Sequence, residues 1–227
     1  MVQTVLPVLH VRGIRSPGLL SKGMKNYASF FPALILLATV ATDGLAQPKP
    51  PRIALAGDST VTDASGWGGG FHESLTNDAE CINLAKSGRS SRSFRSEGWW
   101  QKCLEAKPDF LLIQFGHNDQ PGKGAARESA AESDFRIHLR QYVDEAQQIG
   151  CQPILVTSLT RRRWDESGKI VPTLSEYADA AAIVAKEKGV PLLDLHRLSI
   201  EQCNKLGPEA FRIYEPMTDR GADHTHL

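Results

Sequence analysis

The chain has 227 residues, of which 26 are Lys or Arg and 26 are Asp or Glu, so its formal net charge is zero. Hydrophobic residues make up 41% and charged residues 23%, an ordinary globular composition that excludes a disordered, collagenous or coiled-coil chain. The balanced charge also argues against a general nucleic-acid binder, because such proteins carry a strongly basic surface.

The N-terminal region has the pattern of an export signal. Lys22 and Lys25 precede an apolar run over residues 28–40, and Gly44 and Ala46 place small residues before a cleavage point. The run is shorter than the ~20 residues of a transmembrane helix, which disfavours an uncleaved anchor. We therefore predict a signal peptide over residues 1–46 and a mature domain over residues 47–227 that is secreted or periplasmic and not stably inserted in a membrane. Met24 is an alternative start, which would place residues 1–23 upstream of the protein.

The mature chain alternates short apolar runs with longer amphipathic stretches. The apolar runs predict strands at residues 53–56, 81–85, 110–115, 154–157 and 190–193. The amphipathic stretches predict helices at residues 97–106, 131–149, 175–188 and 199–206. Nearly all-apolar strands separated by helices are typical of a parallel sheet covered on both faces. We therefore predict a single doubly wound α/β domain.

The mature chain has four cysteines, Cys81, Cys103, Cys151 and Cys203. In an oxidising compartment they allow three disulfide pairings, and buried free thiols fit the pattern about equally well. None of them has the CxxC or Cys/His spacing of a zinc site or a redox pair. The pairing stays open at this point.

Polar clusters follow the predicted strands and close the chain. They are GDS at residues 57–59, SGR at 87–89, GHND at 116–119 and DHTH at 223–226. Ligands of open α/β sheets bind beyond the carboxyl ends of the strands. Asp223 and His226 are three residues apart and can meet within one turn, so the imidazole can serve as the base that activates Ser59. The backbone amides of Ser59 and Gly88 and the side chain of Asn118 are candidate donors to the oxyanion of an acyl intermediate.

These four blocks, in this order, resemble those of the SGNH, or GDSL-type, hydrolases. The stretches at residues 57–61, 66–68, 83–94 (NLAKSGRSSRSF) and 114–120 (QFGHNDQ) are similar to rhamnogalacturonan acetylesterases in particular. The resemblance implies a flavodoxin-like three-layer α/β/α fold with a five-stranded parallel sheet. It also implies that Ser59 is the nucleophile, His226 the general base and Asp223 the acid that orients it. Ser59, Gly88 and Asn118 would then form the oxyanion hole.

The resemblance further implies a serine esterase that removes acetyl groups from a plant cell-wall polysaccharide, above all rhamnogalacturonan or pectin. It implies no cofactor and no metal, and we expect a monomer that binds acetylated polysaccharide or oligosaccharide. Trp67, in a glycine-rich stretch expected to be a flexible loop, is a candidate substrate-binding residue, with simple packing as the alternative. Arg89 and Arg161 are candidates because guanidinium groups suit the carboxylates of galacturonate, with salt bridging inside the fold as their alternative.

Three other functions remain open on the sequence. The first is another carbohydrate or lipid acyl esterase of the same family. The second is a metal-dependent phosphoesterase, for which the candidate N and O ligands are Asp58, His117, Asn118, Asp119, His224 and His226. The third is an inactive, C-terminally truncated fragment: family members continue into a closing helix, so we expect that helix to be missing and the terminal segment carrying His226 to fray.

Overall fold

The computed structural model describes residues 49–76, 79–219 and 221–226. The predicted signal peptide at residues 1–46 lies outside these ranges. No helix within them is both long enough and apolar enough to cross a membrane.

A five-stranded parallel sheet forms the centre of the domain. Its strands are β1 (Arg52–Gly57), β2 (Glu80–Asn83), β3 (Phe110–Gln114), β4 (Gln152–Val156) and β5 (Leu192–Leu193). Their spatial order is β2-β1-β3-β4-β5, and every neighbouring pair is parallel. This is the order of flavodoxin-like folds, so the predicted fold class is confirmed. The turns after β1, β2 and β3 lie side by side, because β1 is flanked by the other two strands.

In the described ranges, six α-helices connect and follow the strands. They are α1 (Gly68–Ser74), α2 (Ser91–Ser96), α3 (Trp99–Glu105), α4 (Asp134–Gln148), α5 (Ser175–Lys188) and α6 (Leu195–Phe211). The helix predicted at residues 175–188 has the same limits as α5, whereas no helix was predicted where α1 and α2 lie. The prediction of a flexible loop at the glycine-rich stretch is wrong, because Gly68 is buried and begins α1. A kink interrupts α6 at Gly207, which has a φ of 78° and precedes Pro208.

Side chains of the sheet alternate between two apolar clusters, one on each face. Ala54 and Ala56 of β1 belong to the larger cluster, together with aromatic and aliphatic side chains of α2, α3, α4 and α5. Leu55, between them, belongs to the smaller cluster, which includes Phe71 of α1 and Leu195 of α6. Alternation of this kind is expected when both faces of a strand are covered. The domain therefore has three layers, as predicted.

After α6 the chain forms a 3₁₀ helix (Arg212–Tyr214) and a short antiparallel hairpin of β6 (Met217–Thr218) and β7 (Gly221–Ala222). This hairpin leads into the Asp-x-x-His segment. All four cysteines are free thiols, and three of them, Cys103, Cys151 and Cys203, are buried. The sequence allowed either disulfides or free thiols, and in the structure the cysteines are free thiols.

Candidate active site

The turn after β1 presents Ser59 at the carboxyl end of the sheet. Gly57 has no room for a side chain, because a Cβ there would lie 2.4 Å from Cγ2 of Val61. Asp58 is fully buried, and its Oδ1 accepts hydrogen bonds from the backbone N (2.8 Å) and Oγ1 (2.7 Å) of Thr60. These buried hydrogen bonds fix the conformation of the turn. Ser59 itself is half-buried, unlike its neighbours Asp58 and Thr60, which are buried.

The hydroxyl of Ser59 is joined to the C-terminal segment through a chain of hydrogen bonds. Nε2 of His226 lies 2.8 Å from Oγ of Ser59, although the two residues are 167 positions apart. Nδ1 of His226 lies 2.7 Å from Oδ2 of Asp223. The other carboxylate oxygen, Oδ1, accepts the backbone N–H groups of Thr225 (2.8 Å) and His226 (3.1 Å). The structure thus brings together the three residues predicted as nucleophile, base and orienting acid, in the geometry that a serine hydrolase needs.

The carboxyl of Asp223 is held in its charged form. Partial burial raises the pKa of Asp223, but the hydrogen bonds from the His226 imidazole and from the amides of Thr225 and His226 outweigh it, and the pKa falls to about 2. A charged carboxylate on Nδ1 keeps the proton there and leaves the lone pair of Nε2 facing Ser59. The site therefore has a base in the tautomer that can accept the serine proton.

The predicted oxyanion donors lie on the turns next to Ser59. The backbone N–H of Lys86 donates to the carbonyl of Gly57 (2.9 Å), which holds the turn after β2 against the turn after β1. Gly88 follows in that turn with a φ of 77°, a conformation that favours glycine. Within the described residues, the amides of Ser59 and Gly88 donate to no other group. The side-chain amide of Asn118 donates one N–H to the carbonyl of Arg89 (3.1 Å), which leaves its second N–H available.

Asp119, the last residue of the GHND block, joins the turn after β3 to the start of α2. Its Oδ1 accepts the backbone N–H (3.0 Å) and the hydroxyl (2.5 Å) of Ser91, and its Oδ2 accepts the N–H of Gly116 (3.1 Å). Burial raises the pKa of Asp119 to about 7, against the lowering effect of the bonds from Ser91. Asp119 is completely buried, so its role is to hold these turns together under the site.

Two of the three candidate substrate-binding side chains are engaged inside the fold. The indole N–H of Trp67 donates to Oε1 of Gln114 (2.9 Å), and its ring packs edge-to-face on Phe71. The guanidinium of Arg89 pairs with Glu97 at 2.7 Å and also donates to the carbonyl of Ser87 (2.9 Å). Both residues thus have the contacts that the packing and salt-bridging alternatives expect, and their contact with substrate stays a prediction.

Arg161, the third candidate, lines a cleft of about 550 Å³ beside the Asp-x-x-His segment. Its Nη1 donates to Oε1 of Gln120 (2.5 Å) and its Nη2 to the carbonyl of His117 (3.2 Å), so the guanidinium is fixed in place. The cationic side chains Lys123 and Arg163 line the same cleft, and Asp223 lies in its wall. The cleft is therefore suited to a polar, anionic ligand next to the triad.

The six side chains considered for a metal centre do not form one. Asp119 is engaged with Ser91 and Gly116, while Nδ1 of His224 lies 3.1 Å from Oε1 of Glu215. No group of three His, Cys, Asp or Glu side chains that could hold a metal ion is present in the part of the chain that the structure describes. The donor arrangement thus gives the phosphoesterase alternative no support.

Sequence reasoning missed one residue that contacts the triad segment. Arg162 is buried, and its side chain donates to the backbone carbonyls of Asp223 and His226. In the sequence it is the middle member of an Arg-Arg-Arg run, and nothing in that run distinguishes a buried arginine from two accessible ones. The pairing with a segment about sixty residues later appears only in three dimensions.

Comparison with known proteins agrees with the site. Residues 44–226 match the model of the GDSL-like lipase/acylhydrolase family. Rhamnogalacturonan acetylesterase RhgT of Bacillus subtilis is 41% identical over 170 residues, covering 71% of this chain and 72% of the relative. A rhamnogalacturonan acetylesterase of Emericella nidulans is 27% identical over 198 residues, covering 77% of each chain.

Solved structures share the fold. The Bacillus subtilis protein YXIM superposes with a TM-score of 0.66 at 26% identity, over 78% of this chain and about half (51%) of the other. Axe2, an acetylxylan esterase from Geobacillus stearothermophilus, superposes with a TM-score of 0.56 at 18% identity, over 70% of this chain and 83% of the other. From the family match and the identity to RhgT, the chain belongs to the GDSL-like lipase/acylhydrolase family and is a carboxylic ester hydrolase.

Proposed function

We propose that this protein is a serine acetylesterase that removes acetyl groups from a plant cell-wall polysaccharide, with rhamnogalacturonan as the favoured substrate. The observation that carries the proposal is the 2.8 Å contact between Oγ of Ser59 and Nε2 of His226, with Asp223 2.7 Å behind the imidazole. A hydroxyl, an imidazole and a carboxylate in this order are what acyl transfer through serine requires.

In the proposed mechanism, Ser59 attacks the acetyl carbonyl as His226 takes its proton. The negative charge that develops on the carbonyl oxygen is stabilised by the amides of Ser59 and Gly88 and by Asn118. The C–O bond to the sugar breaks when the imidazolium returns the proton to the sugar oxygen, leaving an acetyl group on Ser59. Water, deprotonated by His226, then releases acetate and restores the serine.

The substrate assignment is supported by the relatives and by the charge of the cleft. The relatives RhgT of Bacillus subtilis and the Emericella nidulans protein are named rhamnogalacturonan acetylesterases. The cleft beside Asp223 carries Lys123, Arg161 and Arg163, and cationic side chains attract the carboxylates of a polyuronate. A neutral polymer such as xylan gains nothing from these charges, which is why we favour a pectic substrate.

We further propose that the protein acts outside the cytoplasm, as a monomer. The support for export is the sequence pattern at residues 1–46, with Lys22 and Lys25 ahead of a short apolar run. A polysaccharide of the cell wall is too large to enter a cell, so an exported enzyme fits the proposed substrate. Fractionation of a culture that expresses the full chain tests the location, and sedimentation tests the oligomeric state.

The substrate proposal is tested by measuring acetate release from acetylated rhamnogalacturonan and from acetylated xylan, at low and high ionic strength. We expect a higher kcat/KM on rhamnogalacturonan. Added salt should raise the KM for that substrate and leave the KM for xylan unchanged, because salt screens exposed charges. The Ser59→Ala variant is the control and should release no acetate from either. A higher kcat/KM on xylan, or equal salt effects on both polymers, contradicts the assignment of a uronate-containing substrate.

A further inference from the structure

Arg162 is an arginine that the domain has removed from water. Its side chain is only 2% exposed, whereas its neighbour Arg163 is exposed. Taking a guanidinium out of water costs free energy unless its N–H groups and its charge are satisfied by the protein. The partners of Arg162 therefore indicate what the buried charge does.

The hydrogen bonds of Arg162 go to the segment that carries the triad. Its Nη2 donates to the carbonyl of Asp223 (2.6 Å) and also to the carbonyl of His226. Its backbone N–H donates to the carbonyl of His224, between them, at 2.7 Å. One residue therefore holds the carbonyls at both ends of the Asp-x-x-His sequence and one in its middle.

The charge of Arg162 is balanced by Glu215, which precedes the hairpin. Nε of Arg162 lies 3.4 Å from Oε1 of Glu215, whose side chain is 8% exposed, and the guanidinium lies over the ring of Phe211 at 5.4 Å. The same carboxylate oxygen lies 3.1 Å from Nδ1 of His224. Arg162 is thus itself fixed from two sides, as a residue that positions others must be.

The triad segment needs such an anchor, because residues 223–226 lie in neither a helix nor a strand. Besides Arg162, a bond from the N–H of Asp223 to the carbonyl of Pro216 (2.8 Å) ties it to the preceding loop. Without the hydrogen-bond ladder of a helix or sheet, the position of such a segment depends on individual contacts of this kind. Proton transfer between Ser59 and His226 requires their atoms to stay within hydrogen-bond distance, and a displacement of about 1 Å can cost about 100-fold in rate.

We propose that Arg162 is a positioning residue, which acts through the carbonyls of Asp223 and His226 to hold the imidazole against Ser59. The inference rests on the proposed function, since it assigns a role in the same triad. It accounts for how a segment outside any helix or strand keeps the base beside the nucleophile.

The experiment compares the full-length wild type with Arg162→Met, Arg162→Lys and Arg212→Met. Arg212 is the matched control: it lies just before the same hairpin, but its side chain is 71% exposed and pairs only with Glu209 among the described residues. kcat and KM are measured with a neutral aryl acetate. The downfield proton resonance of the His226–Asp223 hydrogen bond, identified by its loss in His226→Ala, is recorded by NMR.

For Arg162→Met we expect kcat to fall about 100-fold with KM nearly unchanged, because the substrate site is intact but the base is misplaced. The downfield resonance should be lost or broadened. Arg162→Lys keeps the charge beside Glu215 but not the two-carbonyl reach, so its kcat should recover partly. Arg212→Met should match the wild type in all three measurements.

Wild-type kcat together with a retained resonance in Arg162→Met overturns the inference, as does an equal loss of kcat in Arg212→Met. If Arg162→Met does not fold, Arg162→Lys decides: a fall in kcat with a weakened resonance supports the role, and wild-type values of both overturn it. Failure of the proposed function looks different, since Ser59→Ala would then keep its aryl esterase activity.

Discussion

At the scale of single residues, the charge state of Asp223 determines how the site responds to pH. Because hydrogen bonds lower the pKa of this carboxyl to about 2, it stays ionised down to strongly acidic pH. Asp223 therefore keeps its orienting charge throughout the interval where an esterase is assayed. Once protonated, Nε2 of His226 has no lone pair with which to accept the proton of Ser59.

The first prediction is therefore that kcat/KM on a neutral aryl acetate falls as the pH is lowered, through a single ionisation. The rate should be constant on the alkaline side of that ionisation and fall tenfold per pH unit on the acidic side, since one proton inactivates the base. A pH-rate profile from pH 4 to 9 checks this. A flat profile, or a rate that rises on acidification, contradicts a histidine base.

The triad residues could be predicted from the sequence, and the residue that holds them could not. Ser59, Asp223 and His226 stand in short blocks whose residue types and order are informative by themselves. The role of Arg162 shows only in its burial and in its hydrogen bonds to backbone carbonyl oxygens. Because every residue has such an oxygen, these partners leave no signal in the sequence. Trp67 shows the same limit, because the sequence cannot tell an indole that lines a site from one that donates to Gln114.

At the scale of elements, the turn after β3 and the start of α2 form one unit around Asp119. The carboxylate receives N–H or O–H groups from Ser91 of α2 and from Gly116 of the turn, all of them buried. The same turn carries Asn118, whose amide donates to the carbonyl of Arg89 ahead of α2. Asp119 therefore sets the position of a candidate oxyanion donor without contacting substrate.

The second prediction is that Asp119→Ala lowers the free energy of unfolding by about 3 kcal/mol or more, because it leaves buried donors of Ser91 and Gly116 without an acceptor. It should also lower kcat through displacement of Asn118. Chemical denaturation and aryl acetate kinetics measure the two effects. Asp179→Ala, on the exposed side of α5, is the control and should change stability by no more than about 0.5 kcal/mol. Equal stability of the two variants contradicts the role given to Asp119.

The elements that sequence reasoning missed are short ones. α2 has six residues, too few for an apolar periodicity to show, and its N-cap Ser90 makes reciprocal hydrogen bonds with Ser93. α1 begins with three glycines, which have low helix propensity, and Gly68 is there because a Cβ would meet the carbonyl of Val61. A tertiary contact therefore decides the start of α1, whereas α2 has a local cap but is too short for its periodicity to be recognised.

At the scale of the whole molecule, two apolar clusters on the faces of the sheet support the domain without a covalent crosslink. The buried thiols belong to this core: Cys103 and Cys151 lie in the larger cluster. Burial raises the pKa of Cys103 to about 12 and that of Cys151 to about 11. Such thiols are protonated at neutral pH and react slowly in the folded protein.

The third prediction is that unfolding without reductant exposes four reactive thiols. In the native state only Cys81, which is half-buried, should react with a thiol reagent at an appreciable rate. The melting temperature should be unchanged by reductant, because no crosslink is lost. Titration of thiols before and after denaturation checks this. Two titratable thiols, or none, after denaturation would mean that a disulfide forms.

The topology of the sheet was open to prediction, since five nearly all-apolar runs separated by helical stretches leave few parallel arrangements. The flavodoxin-like fold followed from the family resemblance rather than from the apolar pattern, and the strand order was observed only in the structure. The contact between residues 59 and 226 was expected from the chemistry of the Ser, Asp and His blocks and from the family resemblance. Its realisation depends on the hairpin of β6 and β7, which is too short to leave a sequence signal.

The most direct test of the account is to identify the side chain that reacts with a serine-directed fluorophosphonate. Peptide mass mapping of the full-length protein should place the adduct on Ser59, with labelling greatly slowed in His226→Ala and absent from that peptide in Ser59→Ala. An adduct elsewhere, or equal labelling rates in the wild type and His226→Ala, would contradict a serine activated by the C-terminal imidazole.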